Sequence, residues 1–269
     1  MKKELLQTMK IIDAHAHIFP KKIETVATDA IGVFYETPMA HMGSIEELLA
    51  AGTRAGVTDY LVFSTATTPQ QVTKINDFIL ETCAERPEFM GAGTMHREFE
   101  GAEDEIDRIF EAGLRGVKFH PDFQKFNIDD EKLFPVFARL EQKGMFFITH
   151  SGDYRYTYSH PARVANIAKK YPRLRVVAAH FGGWSQWDVA RRDLAPLPNV
   201  YVDTSSTFGF TDLDNVRASL AAFNKKHIFF GCDFPMWDHA GELETLRALG
   251  LDDGVLEDIL YRNFERFYG

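Results

Sequence analysis

Short apolar runs alternate with amphipathic stretches along most of the chain. The runs "KIIDAH", "TDYLVFS", "EFMGAGTMH", "RGVKFHP", "MFFITHSG", "LRVVAAHFGG", "NVYVDTSS" and "HIFFGCDFP" read as strands. Each is short and carries β-branched or aromatic residues between polar, Gly or Pro positions. Between them, "SIEELLAAGTRAG", "PQQVTKINDFILETCAE", "AEDEIDRIFEAG", "DEKLFPVFARLEQKG" and "PARVANIAKKY" place apolar residues at helical spacing. Glycines close some of these where a helix C-cap would sit. "VARRDLA", "LDNVRASLAAF" and "LETLRAL" supply the later helices.

Eight strand–helix alternations predict parallel βαβ units, and closing them gives an α/β fold, the (β/α)8 TIM barrel. Such a barrel typically takes about 250 residues, and residues 1–269 read as one barrel domain. A doubly wound open sheet is the alternative, but no G-x-G-x-x-G follows the first run. One connection is long: residues 18–44, a loop after the first strand containing "IGVFYETPMAHMG". Its Phe34, Tyr35, Met39 and Met42 favour a packed lid or substrate wall over a bare surface loop.

The first run ends in Asp13-Ala14-His15-Ala16-His17. Residues i and i+2 of a strand face the same way, so His15 and His17 aim at one point in the mouth of a barrel. By the same count Asp13 points with His15 one layer deeper, either supporting a ligand or forming a buried hydrogen-bonded carboxylate. His150, His180 and Asp233 each fall where a later strand gives way to loop. A barrel gathers such ends on its catalytic face. Several histidines with a carboxylate suit a divalent metal with N and O ligands and an open position.

The segments "DAHAH", "THSG", "AHFGG" and "GCDFP" follow one another across nearly the whole chain. Together they resemble the amidohydrolase superfamily, and more closely its amidohydrolase-related branch of metal-dependent hydrolases and decarboxylases. The resemblance implies that His15, His17, His150 and Asp233 ligate one divalent metal, zinc first, with manganese or another divalent ion also accepted. It implies that His180 stands beside the reacting water as a hydrogen-bonding group or base, and that Asp233 takes the water's proton in hydrolytic members. Hydrolysis of an amide, ester or lactone bond in a small anionic substrate is the first reading. Non-oxidative decarboxylation of an aromatic or unsaturated carboxylic acid is the second. A non-catalytic binding protein on the same fold is the third.

Lys118 and His120 in "GVKFHP" again sit at i and i+2. In binuclear members a carboxylated lysine on this strand bridges two metals. A contact to an anionic or carbonyl group of the substrate is the favoured reading for this pair, and a solvated rim charge the bland one for Lys118. "SGDYRYTYSHP" sets Tyr154, Arg155, Tyr156, Tyr158 and His160 in one rim loop, where Arg155 either grips a substrate carboxylate or packs the loop. Trp184, Trp237, Ser205 and His96 are further rim candidates. Cys232 precedes Asp233, so alternation turns it to the helix layer as a structural thiol.

Charge and composition narrow the partners. The net charge of −9 argues against nucleic acid or an anionic membrane, both of which need a basic face. Two cysteines, Cys83 and Cys232, make no disulfide framework. "MKKELLQTMKIID" has no continuous apolar region and does not read as a signal peptide. No apolar run approaches the ~20 residues of a spanning helix. The expectation is a soluble cytoplasmic protein with a small-molecule substrate; a homodimer is expected only from what similar enzymes do.

Overall fold

The computed structural model describes residues 9–269, so the opening stretch read for a leader lies, as far as Thr8, outside the described residues. Eight strands run parallel in chain order: β1 (Ile12–His17), β2 (Asp59–Phe63), β3 (Phe89–Thr94), β4 (Gly116–Phe119), β5 (Phe146–Thr149), β6 (Arg175–Ala178), β7 (Val200–Asp203) and β8 (Ile228–Phe229). Backbone bonds close the ring between the segment following β8 and β1. Ala14 N–H donates to Phe230 O (2.9 Å), Asp233 N–H to His15 O (2.8 Å) and His17 N–H to Phe234 O (2.8 Å). The fold is a TIM barrel, and every strand expected from the hydrophobic pattern is present.

The helices are α1 (Glu24–Tyr35), α2 (Ile45–Ala55), α3 (Val72–Glu85), α4 (Ala102–Glu111), a single turn α5 (Pro121–Gln124), α6 (Phe134–Lys143), α7 (Pro161–Lys170), α8 (Trp187–Asp193), α9 (Leu213–Ala222), α10 (His239–Ala248), α11 (Asp253–Glu257) and α12 (Asn263–Tyr268). Their ends follow the local chemistry. Ser44 caps α2 by accepting from Glu47 N–H, and Gly56 and Gly144 end α2 and α6 in the left-handed conformation that costs glycine least.

Strand alternation divides the core in two. Val62, Val117, Phe119, Phe147 and Val202 face the helices, while Ile12, Leu61, Phe146, Ile148, Val177 and Phe229 face the barrel axis. The C-terminal α12 plugs the base of the barrel with Phe264 and Phe267.

Two segments differ from the sequence reading. The connection after β1 is long, as expected, but its centre is the helix α1. No side chain caps its start at Ile23, and Val26 and Val33 are 73% and 78% exposed, so it lacks the usual amphipathic signature. The end of the chain, α11 and α12 joined by a π-helical turn, was not anticipated either. Among the described residues, no helix is long and apolar enough to cross a membrane.

Candidate metal centre

The mouth is built from backbone irregularities as much as from strands. The β1–β2 register shifts between Asp13 and Ala16, a bulge that places Ala14 on the axial face and lets His15 and His17 follow it inward. Asp13 therefore does not point with His15, as simple alternation predicts. It faces the helix layer, where Oδ2 accepts from His239 Nε2–H (2.9 Å) and Oδ1 accepts from the N–H groups of His15 and Cys232 (both 2.9 Å). His180 and Asp233 hold left-handed backbone at φ 61° and 64°. Non-glycine residues keep that conformation only where the surroundings impose it. A Cβ on Gly231 would lie 3.0 Å from the His15 Cβ, tighter than side chains ordinarily pack, so glycine eases the approach of the segment after β8 to β1.

His15, His17, His150, His180 and Asp233 are all buried and converge. His15 Nε2 and His17 Nε2 lie 3.3 and 3.4 Å from Asp233 Oδ1, and His180 Nε2 lies 3.0 Å from His150 Nδ1. Ligand atoms of His15, His180 and Asp233 fall within 4.8 Å of one another. The outer nitrogens fix the tautomers. His15 Nδ1–H donates to Asp203 Oδ2 (2.9 Å), His180 Nδ1–H to Ser205 O (3.0 Å) and His150 Nε2–H to Gly152 O (2.8 Å). The inner nitrogens of all three are left with lone pairs, and these face each other and a carboxylate oxygen.

Electrostatics sharpen this deficit of positive charge. Burial, and then the Lys118 charge, pull His15 down to about 4. Burial likewise lowers His17 and His180 and carries His150 well below the ordinary histidine value. Burial thus disfavours the charged form of all four imidazoles, and the neutral form is the one that ligates a metal. Burial pushes Asp233 up, but His15, the His17 hydrogen bond and His180 outweigh it and hold the carboxylate ionised. Lys118 and the Tyr35 hydroxyl meet part of this demand, and the remaining lone pairs and carboxylate, held out of water, favour a further cation. The donor set fits a divalent ion bound through N and O.

Lys118 is fully buried, which overturns the rim-charge reading. Its Nζ lies 3.2 Å from His15 Nε2 and 4.6 Å above the Phe63 ring, and burial lowers it to about 8. His120 caps α5 by accepting from Phe123 N–H and stacks on His150 at 4.3 Å between ring centres. Its Nε2–H donates to the Tyr35 hydroxyl (2.8 Å), which in turn reaches His150 Nδ1 at 3.4 Å. The space left between these groups is small, a chamber of about 20 Å³ that α1 roofs with Ile31 and Tyr35.

The remaining candidates divide. Ser205 Oγ stands 2.9 Å from His180 Nδ1 and 3.2 Å from His15 Nδ1, behind both rings. Trp184 packs edge-on against Tyr35 at the mouth. Arg155 directs its donors away from the chamber, to Asp153 (3.0 and 2.8 Å) and to Phe34 O (2.7 Å), and so ties α1 to the β5–α7 loop. Trp237 Nε1–H donates to Ser206 Oγ (2.9 Å). His96 accepts from Glu98 N–H and packs on Phe126, outside the chamber lining. His160 caps α7. Cys232 is buried in the helix layer, as alternation predicts, and its thiol donates to Trp237 O.

Tyr35 belongs to the lid or substrate wall that the sequence suggests, but its bonds to His120 and His150, and the support that Asp203 gives His15 and His180, are not read there. Tyr35 sits on a helix without a pattern, while Asp203 ends a strand like the other site residues and was open to the same test.

A family model described as Amidohydrolase matches residues 12–269. The 2-amino-3-carboxymuconate-6-semialdehyde decarboxylase of Dictyostelium discoideum is 26% identical over a match covering 44% of this chain and 39% of its own length. The match thus spans well under half of that relative. A 5-carboxyvanillate decarboxylase from Novosphingobium aromaticivorans, solved with manganese, superposes with a TM-score of 0.73 at 16% identity, covering 97% of this chain and 96% of its own. A structure from Pseudomonas putida provisionally assigned as a 2-pyrone-4,6-dicarboxylic acid hydrolase has a TM-score of 0.70 at 18% identity, covering 97% and 98%. At such identities these two structures show the shared fold.

Proposed function

The chain belongs to the amidohydrolase family of enzymes, and from that premise we propose that it decarboxylates a small aromatic or unsaturated carboxylic acid at one divalent metal ion. His15, His17, His150 and Asp233 would hold the ion, which would supply Lewis-acid polarisation of a substrate oxygen. Zinc is the expected metal from the donor set, and the manganese in the 5-carboxyvanillate decarboxylase makes that ion the first alternative.

The observation that carries this reading is the chamber: about 20 Å³, buried, and lined by Tyr35, Phe123, Lys118, Asp233 and five imidazoles. A carboxylate drawn against such walls loses its hydration, and losing carbon dioxide relieves that cost. His180 has a proton-accepting Nε2 on the chamber side and an anchored Nδ1–H behind, so it can hold or pass a proton at the carbon that carboxyl loss leaves. Lys118 is placed to attract the anion, His120 orients Tyr35, and Trp184 walls the entrance. Ser205 acts on His180 from behind, and Arg155 acts through α1. The relatedness to a decarboxylase over part of the chain supports the choice.

Hydrolysis is the second reading. Asp233 Oδ1 and His180 Nε2 both face the centre, an arrangement that also suits removal of a proton from water. The fold does not separate the two, because the decarboxylase and the assigned hydrolase each superpose on 97% of this chain.

The test is a product assay on metal-loaded protein with 5-carboxyvanillate and 2-pyrone-4,6-dicarboxylate. Carbon dioxide release from the first, with the lactone intact, is the expected result. Ring opening of the lactone without carbon dioxide would replace decarboxylation by hydrolysis.

A further inference from the structure

A second polar cluster lies behind the metal centre, on the helix side of the barrel wall. Asp13 and His239 are fully buried there, and ligand-type atoms of both fall within 4.8 Å of the Cys232 thiol. Those atoms are already committed to hydrogen bonds, so the cluster reads as a hydrogen-bonded unit rather than an ion site. Asp13 Oδ2 accepts from His239 Nε2–H (2.9 Å), and the thiol donates to Trp237 O. Its reach is toward the first site. Asp13 Oδ1 accepts from two backbone N–H groups at once, those of His15 and Cys232 (both 2.9 Å). The first belongs to a candidate metal ligand, and the second to the residue before another, Asp233.

One carboxylate oxygen therefore pins β1 to the segment after β8 beside the metal centre. The bond to His15 N–H is the two-residue reach by which aspartate bends its own backbone, and it falls at the bulge where the β1–β2 register shifts. The bond to Cys232 N–H holds the chain entering Asp233, whose left-handed backbone (φ 64°) lasts only while its surroundings enforce it. A second clasp, Asp233 N–H to His15 O (2.8 Å), completes the join. Among the described residues, the bond to Asp13 is the one polar contact of the His239 side chain, since its Nδ1 is buried with no partner. The ring sits against Tyr60 and Phe234, 6.0 Å from each between centres. A buried nitrogen without a partner costs stability, and packing against two aromatic rings does not by itself call for an imidazole.

We propose that His239 is a positioning residue for the metal: it holds the Asp13 carboxylate, which in turn sets the backbone that aims His15 and Asp233 at the ion. Without the His239 donor, Asp13 Oδ2 is left unpaired out of water, and the carboxylate relieves that by turning from the N–H groups it clamps. The inference rests on the metal-binding part of the proposed function, with His15 and Asp233 as ligands, and not on the choice between decarboxylation and hydrolysis.

The test is zinc affinity by chelator competition, with the visible spectrum of cobalt-loaded protein, in the wild type, His239→Leu and His239→Gln. Circular dichroism gives the folded fraction to which affinity is referred. Leucine fills the ring's place without a donor, while a glutamine amide reaches about as far as Nε2. His239→Leu is expected to bind zinc about tenfold more weakly, the lower end of what outer partners of a metal site contribute, and to shift the cobalt bands. His239→Gln should recover both. Wild-type affinity and spectrum in folded His239→Leu would overturn the proposal. Equal losses in the two variants would also overturn it, because the ring would then matter for its shape and not for its donor. Should His239→Leu not fold, His239→Asn, whose amide stops short of Asp13, takes its place with the same expectations. Wild-type protein that takes up neither zinc nor cobalt would remove the ligand reading itself, and this inference with it.

Discussion

At the base of the barrel, Ile12, Leu61, Phe146, Val177 and Phe229 point inward and close over Phe264 and Phe267. At the mouth, inward positions further along the strands or just beyond them carry Lys118, His150, Asp203 and Asp233. Both ends are buried and both obey the same alternation, yet they are stabilised differently. The base rests on apolar area removed from water. The mouth holds neutral imidazoles, ionised carboxylates, two left-handed residues and apposed lone pairs, a combination that costs stability until a cation arrives. Structure lives at one end of the barrel and chemistry at the other.

Substitutions at the two ends should separate these roles. His15→Ala is expected to have the largest effect, losing the metal and with it all measurable turnover, while circular dichroism stays that of a folded barrel. Unchanged metal content would remove His15 from the ligand set. Phe264→Ala should do the reverse, costing about 3–5 kcal/mol of stability in a denaturant titration, as large aromatic truncations in cores do. Metal content per folded molecule should not change.

Asp203→Asn keeps the shape of the mouth but weakens the partner of His15 Nδ1–H. Metal affinity should fall about 10–100-fold, the usual effect of losing a carboxylate behind a ligating histidine. A competition titration with a chelator reads this directly, and wild-type affinity would mean that Asp203 does not position His15.

The smallest effect concerns Glu242, behind the mouth in α10. Burial, followed by the Asp233 and Asp13 charges, raises it to about 8. The folded protein therefore binds more protons at this site than the unfolded chain between the ordinary glutamate value near 4.3 and about 8. Its contribution to stability is present at low pH and is lost as pH rises through that window. Glu242→Gln should match the wild type near pH 5 and become the more stable of the two by on the order of 1 kcal/mol at pH 8. A difference independent of pH would show that Glu242 is already ionised when folded.

Much of this was legible in the sequence for physical reasons. All eight strands carry their own alternation, and strand-end histidines separated by more than a hundred residues could be brought together because a closed barrel leaves them nowhere else to go. Three features were not legible. The bulge in β1 turns Asp13 outward, and nothing in "DAHAH" marks it. The helix α1 presents exposed valines and no side-chain cap, so its period is hidden, and with it the bonds that Tyr35 makes to His120 and His150. The pairing of Arg155 with Asp153 and Phe34 O depends on a lid whose position only the folded chain reveals.

The central claim is that the mouth is built around a cation. Elemental analysis of protein purified without added metal or chelator tests it most directly. The account predicts about one divalent ion per chain, and a value near two would bring Lys118 in as a bridge between metals. No metal, and none taken up from added zinc or manganese, would contradict it.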